Sequence, residues 1–83
     1  MRNLLDFILE GLIGKDAYSI EEQEEDNFIK FNVFTIPDHI GIVIGKEGRT
    51  IKAIRNLLKV KATLEKKAVS ISVSESPEAA KVS

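Results

Sequence analysis

Between Gly41 and Ile54 the chain reads Gly-Ile-Val-Ile-Gly-Lys-Glu-Gly-Arg-Thr-Ile-Lys-Ala-Ile, an apolar run that breaks into a four-residue glycine-bounded loop and restarts with helical periodicity. Val43 and Ile44 before the loop, with Ile51 and Ile54 after it, describe two buried helix segments joined by a turn too tight for side chains. A turn of this kind leaves backbone N–H groups at a helix N-terminus, where a phosphate is a natural ligand. The remainder of the chain reads as scaffolding for that loop.

Charge is divided at the same point. Residues 1–45 carry three basic and nine acidic side chains, a balance of −6. Residues 46–67 hold Lys46, Arg49, Lys52, Arg55, Lys59, Lys61, Lys66 and Lys67 against Glu47 and Glu65, a balance of +6. The remaining residues contribute −1, so the total of −1 hides a dipole whose basic half begins at the loop.

Other chemistries find little support. The chain has no cysteine, which removes disulfides, thiolate nucleophiles and cysteine-bound metal. His39 is the only histidine, and without a second one it makes neither a metal site nor a base. No cofactor is expected. Asp38, just after Pro37, reads as a helix N-cap. No apolar run reaches the roughly 18 residues of a membrane span. Asp6 and Glu10 inside the first apolar stretch argue against a signal peptide, so a cytoplasmic location is expected.

In chain order, Leu4, Leu5, Ile8, Leu12 and Ile13 form one stripe of an amphipathic helix over about residues 1–13, with Gly14 as its stop and Phe7 and Leu9 off the stripe. Tyr18 and Ile20 begin a short edge strand that dissolves into an acidic run and a turn at Asp26-Asn27. Phe28–Ile36 is the strongest strand signal, with Ile29, Phe31, Val33 and Thr35 on one side, and both faces partly apolar as in a central strand. Asp38–Ile44 fits a short helix and Arg49 to about Ala62 a second, on which Ile51, Ile54 and Leu58 share one face while Lys52, Arg55 and Lys59 share another. Ala68–Ser74 alternates Val69, Ile71 and Val73 with serines, a strand with one buried side. The expected arrangement is an α+β domain over 1–74, with a flexible tail over 75–83. Its last strand, reached through two helices, runs parallel to the long one in a three-stranded mixed sheet with helices on one face.

Val43 through Ile54, with Gly-Lys-Glu-Gly-Arg at its centre, resembles the core of a KH domain. The element order α-β-β-α-α-β matches the type II arrangement, and the size, loop form and N-terminal helix resemble the KhpA (YlqC) family of small single-domain bacterial KH proteins. The resemblance spans roughly Leu4 to Val73 and is strongest from Ile36 to Leu58. It implies single-stranded RNA binding, the GXXG loop clamping the backbone of about four nucleotides beside a groove for the bases. Gly45, Lys46, Glu47, Gly48, Arg49, Lys52 and Arg55 are the RNA-binding candidates, the glycines admitting the sugar–phosphate backbone and the cations adding contacts without sequence preference. A post-transcriptional regulator or RNA chaperone, with links to cell shape, is what the resemblance implies for the cellular role.

Two positions depart from the family pattern. Ile42 stands where the family is often basic, and either enlarges an apolar groove or marks a contact with another protein. Glu47 puts a carboxylate inside the clamp; it reads first as a solvated loop residue, and otherwise as one that weakens phosphate attraction slightly. The resemblance also implies a homodimer, or a heterodimer with a larger KH protein of the Jag (KhpB) type, and Ile40, Gly41 and Ile42 are the candidate groove or dimer contacts. An adaptor acting through a protein partner is therefore the alternative function. A nucleotide-handling enzyme is not expected: a P-loop needs G-x-x-x-x-G-K-[ST], but only three residues separate Gly41 from Gly45 and Glu47 stands where the magnesium-binding hydroxyl belongs.

Overall fold

A computed structural model describes residues 1–76 of the 83. The order is α1 (Arg2–Ile13), β1 (Tyr18–Glu25), β2 (Phe28–Thr35), α2 (Pro37–Ile44), a 3-10 turn (Lys46–Gly48), α3 (Arg49–Leu64) and β3 (Ala68–Glu75). The sheet order is β1-β2-β3, with β1 antiparallel and β3 parallel to the central β2. This is the mixed three-stranded sheet expected for a type II KH fold.

The core gathers on one side of the sheet. From β2 it takes Ile29, Phe31 and Val33, from β3 Val69 and Ile71, and from the helices Leu5, Leu9, Val43, Ile54, Leu58 and Ala62. Alternation along β2 follows from the two-residue period of a strand: the odd positions 29 to 35 are buried, while Phe28 and Lys30 are exposed. Thr35 is the one polar residue in that buried set, and its hydroxyl donates to the Ala17 carbonyl at 2.6 Å.

Four local expectations are corrected. On α1 the buried pair is Leu5 and Leu9, whereas Leu12 is 36% exposed. The helix is apolar on most of its circumference, so spacing alone offered two adjacent stripes, and packing chose the one through Leu9. Asp38 is not the N-cap of α2: Pro37 occupies the first turn, and the extended Ile36 (φ −73°, ψ 154°) is the cap, accepting from His39 N–H at 2.9 Å and Ile40 N–H at 3.2 Å. Asp38 instead sits in the first turn, where its carboxylate complements the positive end of the helix.

The acidic run does not dissolve the strand. Glu21 to Glu25 are paired in full register with Phe28 to Asn32, because eight consecutive ladder positions on β2 outweigh the weak strand preference of glutamate. Past Ile20 the inward side of β1 is exposed, and there Lys67, from the turn after α3, closes on Glu24 at 2.6 Å. At the other end β3 runs through Glu75, and Ser76 N–H donates to Thr35 O at 2.9 Å, so the sheet continues one residue past the expected strand end. The rest of the tail expected over 75–83 lies outside the described residues.

Candidate nucleic-acid interface

The loop between α2 and α3 is built around two glycines that are constrained differently. Gly45 ends α2 with φ 77° and ψ 171°, its N–H bonded to Gly41 O at 2.8 Å. Thr50 lies against it: a β-carbon on Gly45 would stand 2.7 Å from Thr50 Cβ and 2.9 Å from Thr50 N. Gly48 adopts φ 74° and ψ 15°, but a β-carbon there would meet nothing nearer than Ile51 Cγ2 at 4.0 Å. Gly45 is thus required by space and by backbone conformation, Gly48 by conformation only.

Between them Lys46 and Glu47 form a single 3-10 turn, closed by Gly48 N–H to Gly45 O at 3.1 Å. Arg49 N–H is likewise bonded to Lys46 O. Two N–H groups expected to face a phosphate are therefore satisfied within the turn.

Glu47 holds a left-handed conformation, φ 57° and ψ 24°, which costs a residue with a β-carbon roughly 1–2 kcal/mol. Its carboxylate stands 3.5 Å from Arg49 Nη2, with both side chains largely exposed. The carboxylate in the middle of the loop thus engages the cation two residues on.

The other candidates fall around this turn. Lys46, Arg49 and Lys52 are exposed, and Arg55, one turn beyond Lys52, is half-buried. On α2, Gly41 is exposed, Ile40 half-buried and Ile42 47% exposed, so Ile42 lies open beside the loop. His39 Nδ1 is buried and makes no hydrogen bond among the described residues.

Electrostatics separate the two ends of the chain. From Arg49 to Leu64, α3 has five cations and no carboxylate. A depression of about 550 Å³ between α1 and β1 is instead lined by Asp6, Glu10 and Asp16 with Arg2 and Lys15, and suits a polyanion poorly. There Tyr18 donates to Asp6 at 3.1 Å, and burial first, then that bond, raises the pKa of its phenol.

One surface escaped the reading of the sequence. Leu57, Val60 and Leu64 are 51%, 64% and 77% exposed on α3. The signal was present as spacing: with Ala53 these residues follow a 4-3-4 repeat separate from the Ile54, Leu58, Ala62 stripe. Among the described residues no helix is long and apolar enough to cross a membrane, and no three potential ligands cluster to hold a metal.

Comparison with known proteins covers nearly the whole of this architecture. The family model for the KH domain of KhpA/KhpB matches residues 2–73. The chain is 37% identical over 76 residues to the RNA-binding protein KhpA of Chlamydia trachomatis, covering 90% of this chain and 97% of the relative. It is 34% identical over 74 residues to the RNA-binding protein KhpA of Clostridium acetobutylicum, covering 88% and 99%. With the protein of the same name from Halalkalibacterium halodurans it shares 31% over 74 residues, covering 88% and 97%.

Proposed function

The chain belongs to the KhpA/KhpB KH-domain family, and from that premise we propose that it is a non-catalytic protein that clamps the backbone of single-stranded RNA at Gly45–Gly48. It acts in the cytoplasm as a post-transcriptional regulator or RNA chaperone. The observation that carries this reading is the glycine turn, locked by Thr50 beneath Gly45 and opening directly onto a helix whose ionisable side chains are all cationic. Lys46, Arg49, Lys52 and Arg55 supply contacts to phosphates that are indifferent to sequence, and the glycines let the strand approach the main chain. Glu47 competes with phosphate for Arg49 and tempers the attraction. Replacing Lys46 and Glu47 together by Asp tests it: position 46 is exposed, and Asp tolerates the left-handed conformation of position 47. The fold should survive by circular dichroism while binding to single-stranded oligoribonucleotides is lost; affinity retained at moderate salt counts against the clamp.

A second reading, compatible with the first, is assembly as a homodimer or with a larger KH protein of the Jag (KhpB) type. It is favoured by the uncovered stripe of Leu57, Val60 and Leu64, with the exposed Ile42 on α2 as the other candidate contact. Solution mass compared between wild type, Leu57→Glu and Ile42→Glu discriminates the two surfaces. A chain that is monomeric at all concentrations speaks against self-assembly through either.

A further inference from the structure

The basic side of α3 continues past the residues assigned to the clamp. On a helix of 3.6 residues per turn, Lys52, Arg55 and Lys59 fall within a sector of about 60°, next to the buried stripe of Ile54, Leu58 and Ala62. Lys52 and Lys59 are exposed and Arg55 is half-buried. At 1.5 Å per residue the ridge from Lys52 to Lys59 is about 10.5 Å long. Among the described residues, none of these three has a carboxylate within ion-pair distance, although Arg49 and Lys67 do. Their spacing is also unfavourable in the free helix: Lys52–Arg55 is an i,i+3 pair and Arg55–Lys59 an i,i+4 pair, and like charges so placed repel by about 0.2–0.5 kcal/mol each. A solvated basic face usually intersperses acids; this one has none along the whole helix.

We propose that this ridge is a second backbone-binding segment, continuous with the loop at Lys52 and ending at Lys59, that carries single-stranded RNA onward from the four nucleotides at the clamp. At a stacked rise of ~3.4 Å per nucleotide, the roughly 6 Å by which it passes the last clamp residue, Arg55, corresponds to about two more. The inference rests on the clamp reading, and adds to it that the footprint on RNA is longer than four nucleotides, with Lys59 its far contact. Lys59 itself reads no base, since lysine reaches phosphate as a point charge.

The test uses the intact chain with oligouridine of four and of eight nucleotides, followed by NMR titration over a range of salt. Lys59→Gln is compared with Lys61→Gln, which removes the same charge two residues on, about 200° round the helix. With wild type, the octamer should show a steeper dependence of affinity on salt than the tetramer. Lys59→Gln should lower the octamer slope by about 0.7, one phosphate contact on a single strand, and leave the tetramer unchanged. Lys61→Gln should change neither. Equal weakening of the octamer by both variants, or equal weakening of tetramer and octamer by Lys59→Gln, overturns the ridge and reduces Lys59 to net charge. If both oligomers bind wild type with one slope and lose binding in the Lys46→Asp/Glu47→Asp variant, the clamp stands and the ridge alone fails. If neither oligomer binds wild type, the clamp fails and the ridge with it.

Discussion

Gly45 and Thr50 are in contact across the loop so closely that a β-carbon on Gly45 would stand 2.7 Å from the Thr50 β-carbon and 2.9 Å from its backbone nitrogen. That contact joins the end of α2 to the first turn of α3, and it makes the two glycines of the loop unequal. Gly45→Ala should destabilise the fold by roughly 2–5 kcal/mol, from overpacking and a strained φ together. Gly48→Ala, with open space around it, should lose only about 1 kcal/mol. Chemical denaturation of the two variants checks the ranking, and equal losses would show that Thr50 yields. Thr50→Ser should not rescue Gly45→Ala, because the backbone nitrogen remains in the way.

Glu47 is held in a left-handed conformation while its carboxylate faces Arg49 at 3.5 Å. Glu47→Asn supplies a residue that adopts this conformation more readily and removes the competitor for Arg49. RNA affinity should rise roughly 1.5- to 5-fold, the equivalent of the 0.2–1 kcal/mol typical of an exposed pair, with stability unchanged or slightly improved. Fluorescence anisotropy at fixed salt reads the change; an affinity at or below that of wild type would mean that Glu47 does not oppose the phosphate.

Tyr18 is the only tyrosine and the chain has no tryptophan, so absorbance reports its ionisation without interference. Burial, and then its bond to Asp6, raise its pKa in the folded state above the ordinary value near 10. The folded state therefore holds this proton more tightly than the unfolded one. Its contribution to stability is complete below pH 10 and is lost as pH rises through the folded-state pKa. Lys67, raised by its hydrogen bond to Glu24, acts in the same direction. The spectroscopic midpoint should lie above 10 in the native chain and fall toward 10 in Asp6→Asn, and a native midpoint at or below 10 would contradict the contact.

The alternating pattern of β2, the parallel last strand and the inward face of α3 were legible from the sequence because each is a periodicity imposed by burial on one side. The loop was legible as Gly-Lys-Glu-Gly, but its internal hydrogen bonds were not. Whether Gly48 and Arg49 N–H groups face outward depends on a 3-10 closure that residue types do not encode, and the structure turns both inward. Leu9 and Leu12 were exchanged because α1 is apolar nearly all round, so the choice of buried stripe belongs to the packing. Leu57, Val60 and Leu64 were overlooked for a related reason: the second apolar stripe of α3 has no partner among the described residues, and reading toward a single core leaves such residues without a place.

If a single strand of RNA is held by its backbone at the glycine turn and the cations after it, binding to a single-stranded oligoribonucleotide must depend on salt. Wild type and the Lys46→Asp/Glu47→Asp variant are measured side by side. Log affinity should fall linearly with log salt in wild type, by about 0.7 for each phosphate contact, and the folded variant should not bind at any salt. Wild-type affinity indifferent to salt, or a folded variant that binds with the wild-type slope, would contradict it.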